Sequence, residues 1–325
     1  MVMLNEFTLI VTVGPTLLNQ AKLQHIDKLG SIIYRINGAH ADADGARHII
    51  QILRSILPDA RIMIDLPGNK VRTANLLEPI RLKKDEVFEL HKFNLNFTGF
   101  HKYLSPGDII LANDAIYKLS VEKIENEIIY LKSHSDGLLQ TNKGLHSLGV
   151  NEKLPFLFER DKQLIETAID EKISFLSLSF VRNTADIKQA KEILKARNAT
   201  QLEVIAKVET RAAVENLGSI LFEVDIINVD RGDLSSDVGM LRLPRIQDRI
   251  VESALRAKKN VFLATQFLKS MEHNPIPYIA EVVDLHKTIK AGITGIQLSE
   301  ETAVGEYPEK CVELVFDSLK NTYDI

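Results

Sequence analysis

LEVIAKVET (202–210) and DIINVDRGDLS (225–235) decide how this chain folds. In the first, the apolar run Val204 to Ala206 delivers Lys207 and Glu209. In the second, Ile226 to Val229 delivers Asp230, Arg231, Gly232 and Asp233. Short apolar runs of this kind read as buried strands of a parallel sheet, and the polar residues at their carboxyl ends face the ligand crevice. One strand end then offers an ammonium and a carboxylate, and its neighbour offers another carboxylate. Two acids on adjacent strands suit a divalent cation, and a lysine beside them suits a developing oxyanion. A salt bridge across a strand end explains the same spacing, and spacing alone leaves both readings open.

Outward from that pair, strands and helices alternate. Before it come strands at 8–14 (TLIVTVG), 31–37 (SIIYRIN), 60–66 (ARIMIDL) and 174–181 (SFLSLSFV). After it come strands at 260–266 (NVFLATQ) and 294–299 (TGIQLS). Helical spacing lies between them, as in Ile49, Ile52, Leu53 and Ile56, and at 159–171, 184–196, 211–221, 243–258, 277–291 and 308–321. The rhythm breaks from about Thr73 to Val150, where short β-like runs such as DEVFEL and EIIYLKS are separated by turns. These features predict an α/β chain: a (β/α)8 barrel at 1–73 and 151–325, with a small all-β lid at 74–150 inserted after the third strand. A doubly wound open sheet competes, but no GxGxxG or GxxxxGK[ST] follows any strand.

Composition narrows the classes. The formal charge of −4 over 325 residues gives no field for nucleic acid or an anionic membrane. No apolar run reaches the roughly 18 residues of a membrane span. The first residues, MVMLNEFTLI, lack the basic and apolar regions of a signal peptide, and Cys311 is a single cysteine. A cytoplasmic location is expected.

The predicted strand ends collect Arg35, Asn37, His40, Asp65, Lys70, Arg72, Arg182, Lys207, Glu209, Arg231, Asp233, Thr265 and Ser299 on one rim. Arginine forks suit phosphate, and a cation bridges phosphate and carboxylate oxygens. Gly232 and Asp233, at the head of a short turn, present backbone N–H groups suited to a carboxylate.

TVGPT (12–16), RINGAH (35–40), DLPGNKVRT (65–73), NKGLHSLGV (142–150), LSFVR (178–182), IAKVET (205–210), VDRGDL (229–234), ATQFLKSM (264–271) and LSEETAVGEYP (298–308) together resemble the pyruvate kinase family, in its order over nearly the whole chain. The resemblance implies phosphoryl transfer between phosphoenolpyruvate and a nucleoside diphosphate, giving pyruvate and a nucleoside triphosphate such as ATP, as in glycolysis. It implies Glu209 and Asp233 as ligands of Mg²⁺ or Mn²⁺, with Lys207 stabilising the enolate and the phosphoryl in flight. Arg35 and Arg72 match phosphoryl contacts, and Gly232, Asp233 and Thr265 match the seat of the substrate carboxylate. Thr265 and Ser299 match a proton relay to the enolate carbon, and Asn37, His40 and Lys143 match nucleotide contacts. The family's carboxyl-terminal effector domain has no counterpart before Ile325, which leaves the barrel faces for any homo-oligomer.

The chain departs from the family pattern at Ala39, Leu66, Asn69, Ala115, Ser235 and Glu300. Ala39 and Leu66 remove two of four side chains that normally hold K⁺, leaving Asn37 and Asp65. Lys70 stands where cation-independent members carry lysine, so K⁺ is not expected to be required. Two alternatives keep the same residues: a metal-dependent lyase, aldolase or carboligase acting through a pyruvate enolate, and a non-catalytic metabolite-binding relative.

Overall fold

The computed structural model describes residues 7–113, 116–147, 149–150 and 153–323; Ala115 lies outside them. The chain divides into two compact units, one of residues 1–67 and 159–325 and one of residues 68–158. The division falls at Pro67/Gly68 and Phe158/Glu159, where the sequence reading put 73/74 and 150/151.

The first unit is a closed parallel barrel of eight strands. They are β1 (Thr8–Thr12), β2 (Ser31–Asn37), β3 (Ile62–Asp65), β4 (Phe175–Leu178), β5 (Glu203–Val208), β6 (Ile226–Asp230), β7 (Asn260–Ala264) and β8 (Gly295–Leu298). Each pairs with its neighbours in sequence order, and β8 closes on β1 through Leu9↔Ile296 and Val11↔Leu298. Because both faces of each strand are covered, the runs read as continuous apolar sequence rather than alternating.

Side chains two residues apart share a face, so the interior is stacked in steps along each strand. The lower step is apolar: Ile10, Ile33, Met63, Phe175, Ile205, Ile226 and Phe262 form one buried cluster. On β8 this step falls on Gly295. A Cβ there would lie 2.0 Å from the Phe262 ring and 2.2 Å from the Thr8 carbonyl oxygen, so glycine makes the space the ring fills. One step further toward the carboxyl ends, the same strands present Thr12, Arg35, Asp65, Ser177, Lys207, Asn228 and Gln297, all buried. That change of chemistry within one strand step positions the site.

The helices follow the strands. Asp42 caps α2 (Ala43–Ile56) through Gly45 N–H at 2.9 Å, and Asn183 caps α4 (Thr184–Ala196) through Ala185 N–H at 2.9 Å. The single helix expected at 211–221 is two, α5 (Arg211–Glu215) and α6 (Leu217–Glu223). Asn216 breaks it: its side-chain amide donates to the Ala212 and Arg182 carbonyls, and asparagine competes with the helical backbone in this way. The short turn expected after Asp230 is an eight-residue helix, α7 (Arg231–Val238). Among the described residues, no helix is long and apolar enough to cross a membrane.

The second unit holds a five-stranded antiparallel sheet (Val87–His91, Ile109–Ala112, Tyr117–Glu125, Ile128–Ser133, Leu145–Ser147) and a two-stranded pair (Ile80–Leu82, Gly137–Leu139). Asn126 and Glu127 both adopt positive φ, 52° and 65°, the backbone of a tight hairpin turn. Leu90, Phe100, Leu119 and Leu131 belong to its one apolar core.

Candidate active site

Period two sends Ile205, Lys207 and Glu209 to the barrel interior while Ala206 and Val208 turn to the helices. Lys207 and Glu209 are both buried. The Lys207 ammonium lies 2.9 Å from Glu209 Oε2, 3.1 Å from Asp230 Oδ2 and 3.8 Å from Asp65 Oδ2. Burial alone would lower the lysine's pKa, but Asp65, Glu209 and Asp230 outweigh it and hold it well above its ordinary value. The ammonium is therefore charged.

Arg35 meets the same Asp65 oxygen and is pinned in place. Its Nε and Nη2 meet Asp65 Oδ2 at 2.8 and 2.6 Å, and Nη1 donates to Thr12 Oγ1 at 2.8 Å. This leaves each terminal nitrogen a further N–H for a ligand. Burial would raise the Asp65 pKa, yet Lys207 and Arg35 hold it below the usual carboxylate range. Glu209 goes the other way, to about 8, because burial and the nearby Asp230 and Asp233 outweigh Lys207. Its Oε1 accepts the Phe180 N–H at 2.6 Å, while Oε2, though close to Lys207, receives no aligned hydrogen bond.

Asp230 ends β6, and Asp233 sits in the first turn of α7. Carboxylate oxygens of Glu209, Asp230 and Asp233 all lie within 4.8 Å of one another. The Gly232 N–H donates to Thr265 Oγ1 at 3.0 Å, and that hydroxyl donates to the Ala264 carbonyl at 2.6 Å. Gly232 and Thr265 are thus brought together, bonded to each other. Thr265, Gln266 and Phe180 hold positive φ of 73°, 57° and 55°. Such conformations cost about 1–3 kcal/mol each for non-glycine residues and gather at functional sites. Ser299 follows β8, its N–H donating to Glu301 Oε2 at 2.7 Å.

Two arginines of the expected rim are engaged elsewhere. Arg231 donates through Nε to the Thr265 carbonyl at 3.0 Å, pairs with Asp284 at 2.7 Å and stacks on Phe267 at 3.9 Å. Arg182 forks onto Asp186 at 2.8 and 2.9 Å. These bonds brace the segments that follow β4 and β6. Asn37 Oδ1 accepts the Ala39 N–H at 3.1 Å at the end of β2, and His40 follows in an exposed turn.

Lys70, Arg72 and Lys143 belong to the second unit. There Arg72 bridges Gly144, its N–H donates to Asn96 Oδ1 at 2.8 Å, and Thr73 N–H donates to the Lys143 carbonyl at 2.9 Å. These bonds bring Arg72 and Lys143 onto paired segments of one sheet edge.

The donor set fits a hard divalent cation. All three groups are carboxylates, and one buried oxygen, Glu209 Oε2, lacks a hydrogen bond. Sequence reasoning named Glu209 and Asp233 for it and missed Asp230, although Asp230 stood in the quoted stretch. The available signal was position: an acid directly after an apolar run ends a buried strand.

The chain is similar to known proteins over nearly its whole length. The family profile for the pyruvate kinase barrel domain matches residues 4–312. The pyruvate kinase of Aeropyrum pernix is 30% identical over 313 residues, covering 94% of this chain and 68% of that protein. That of Thermococcus litoralis is 31% identical over 328 residues, covering 97% and 69%. That of Bacillus licheniformis is 30% identical over 321 residues, covering 94% and 55%. Together with the closed barrel, these matches show that the chain belongs to the pyruvate kinase family.

Proposed function

We propose that this protein moves a phosphoryl group between phosphoenolpyruvate and a nucleoside diphosphate, dependent on Mg²⁺ or Mn²⁺. The observation that carries the reading is the charged Lys207 ammonium, buried beside Glu209 and Asp230 at the carboxyl end of the barrel, with Arg35 pinned on the Asp65 that it shares with Lys207. Phosphoryl transfer asks for positioning and charge stabilisation, and this arrangement supplies both.

Glu209, Asp230 and Asp233 are the residues that would hold the divalent cation. When bound, it supplies Lewis-acid charge to substrate oxygens. Arg35, fixed by Asp65 and Thr12, presents its remaining N–H groups to phosphoryl oxygens without losing rotamer freedom. Lys207 neutralises charge on the enolate oxygen as the phosphoryl leaves. Thr265 and Ser299 stand at adjoining strand ends, suited to pass a proton to the enolate carbon. Arg72 and Lys143 add cationic contacts to phosphoryl and nucleotide, and Asn37 and His40 act on the nucleotide side. The test is a coupled assay of pyruvate formation from phosphoenolpyruvate with Mg²⁺ or Mn²⁺ across several diphosphates. No pyruvate with any diphosphate, but pyruvate from a hydroxylated 2-keto acid, would replace the kinase reading with the lyase.

The reaction is further proposed to run without K⁺. Ala39 and Leu66 bring no side-chain oxygen, and the two side chains left are already engaged: Asn37 Oδ1 accepts the Ala39 N–H, and Asp65 accepts from Arg35 through Oδ2 and from Ser179 through Oδ1. The family resemblance, which matches Lys70 to the lysine of cation-independent members, supports the same reading. Turnover in tetramethylammonium buffer should be unchanged by added K⁺, and Lys70→Glu should depress it. A wild type silent until K⁺ is added sinks this part.

A further inference from the structure

We propose that Asp230 is a third carboxylate ligand of the divalent cation, and that it exchanges Lys207 for the cation when the cation binds. The inference rests on the cation reading above and deepens it. Asp230 is buried, and no side-chain hydrogen bond anchors its carboxylate to the start of α7. Its contact with the interior is the Lys207 ammonium at 3.1 Å, and an oxygen of it lies within 4.8 Å of oxygens of Glu209 and Asp233. Metal–oxygen bonds of about 2.1 Å put neighbouring ligand oxygens about 3 Å apart and opposite ones about 4.2 Å apart, so the triad would close on one ion by side-chain movements of about an ångström or two.

Charge points the same way. Asp65, Glu209 and Asp230 share the Lys207 ammonium, three carboxyl groups around one cation, while Arg35 is committed to Asp65. Arg231 does not offset this, because Asp284 pairs with it. Buried carboxylates short of counter-charge are disfavoured, and a divalent cation supplies more of it. Glu209 Oε2 is the second sign: it is buried and, though 2.9 Å from the Lys207 ammonium, receives no aligned hydrogen bond.

The consequence concerns Lys207. Without the cation, Glu209 and Asp230 hold the ammonium at 2.9 and 3.1 Å. When both carboxylates turn to the cation, the ammonium keeps Asp65 as its neighbour and turns toward an anionic substrate. Cation binding and the freeing of Lys207 then become one event.

The test is Mn²⁺ titration of the full chain without substrate, followed by electron paramagnetic resonance, with the bound ion's waters counted by pulsed deuterium measurements. Three monodentate carboxylates leave an octahedral ion about three waters, whereas two leave about four. The wild type should show about three, so the count stands even if a variant folds poorly. Asp230→Asn, with its fold checked by thermal melting, should weaken Mn²⁺ roughly tenfold or more and gain a water. Unchanged affinity and hydration in Asp230→Asn, while Glu209→Gln and Asp233→Asn lose the ion, overturns the proposal and leaves the cation site standing. A wild type that binds no Mn²⁺ overturns both.

Discussion

Two steps of the same barrel interior differ in everything except their strands. The lower step is Ile33, Met63, Phe175, Ile205 and Ile226; two residues on, the same strands carry Arg35, Asp65, Ser177, Lys207 and Asn228. Both steps are buried, and both share the strand register. The lower one is held by apolar area, at about 25 cal/mol per Å² removed from water. The upper one gathers buried charges whose mutual attraction does little more than offset their desolvation. The barrel thus carries its stability in one step and its chemistry in the next.

The largest break in that comparison is Phe262→Ala. The ring fills the space that Gly295 leaves, so its removal opens a cavity no neighbour is placed to fill. Large-to-small changes of this kind cost about 3–5 kcal/mol. Urea unfolding should show that loss, while turnover of the folded fraction at low temperature stays near wild type. A comparable drop in turnover without loss of stability would mean the lower step takes part in the chemistry.

Lys207→Met should do the reverse. We expect kcat to fall by at least about 10²-fold, equivalent to about 2.7 kcal/mol, because the ammonium's attraction grows as charge develops on the transferring group. Divalent-cation binding should not weaken, since Glu209 and Asp230 lose a competitor for their oxygens. Near-normal turnover would remove Lys207 from the chemistry.

The two steps were not equally legible in the sequence. Apolar runs marked every barrel strand, because a strand buried on both faces must be apolar along its length. Lys207, Glu209 and Asp233 stood out as charges following such runs. Asp230 follows such a run too, but it was not named for the cation, because the family resemblance assigns that role to Glu209 and Asp233. The segment DLSSDV is poor in helix formers, and its helix was not readable from propensity. Arg231 was read as an anion contact because its partner Asp284 is distant in sequence, whereas the Arg182–Asp186 pair, four residues apart on a helix start, was readable. The positive φ of Thr265 had no sequence signal, since a β-branched residue is the last expected there.

The smallest predicted effect separates polarity from function within the upper step. Asn228 Nδ2 donates to Gln297 Oε1 at 2.8 Å, and both side chains are buried. Their other ends, Asn228 Oδ1 and Gln297 Nε2, have no hydrogen-bond partner. A buried polar group left without a partner costs about 1–3 kcal/mol, more than one neutral hydrogen bond of about 1 kcal/mol returns. Replacing both partners together with apolar groups of similar shape removes both terms. Asn228→Leu with Gln297→Met is therefore expected to leave stability within about 1 kcal/mol of wild type or raise it. Either change alone strands its partner and should destabilise more than the pair does. Urea midpoints of the two singles and the double measure this coupling directly. If the double variant loses several kcal/mol instead, ordered water satisfies those orphaned atoms, and the upper step is held by a hydrated polar network rather than by charge pairing alone.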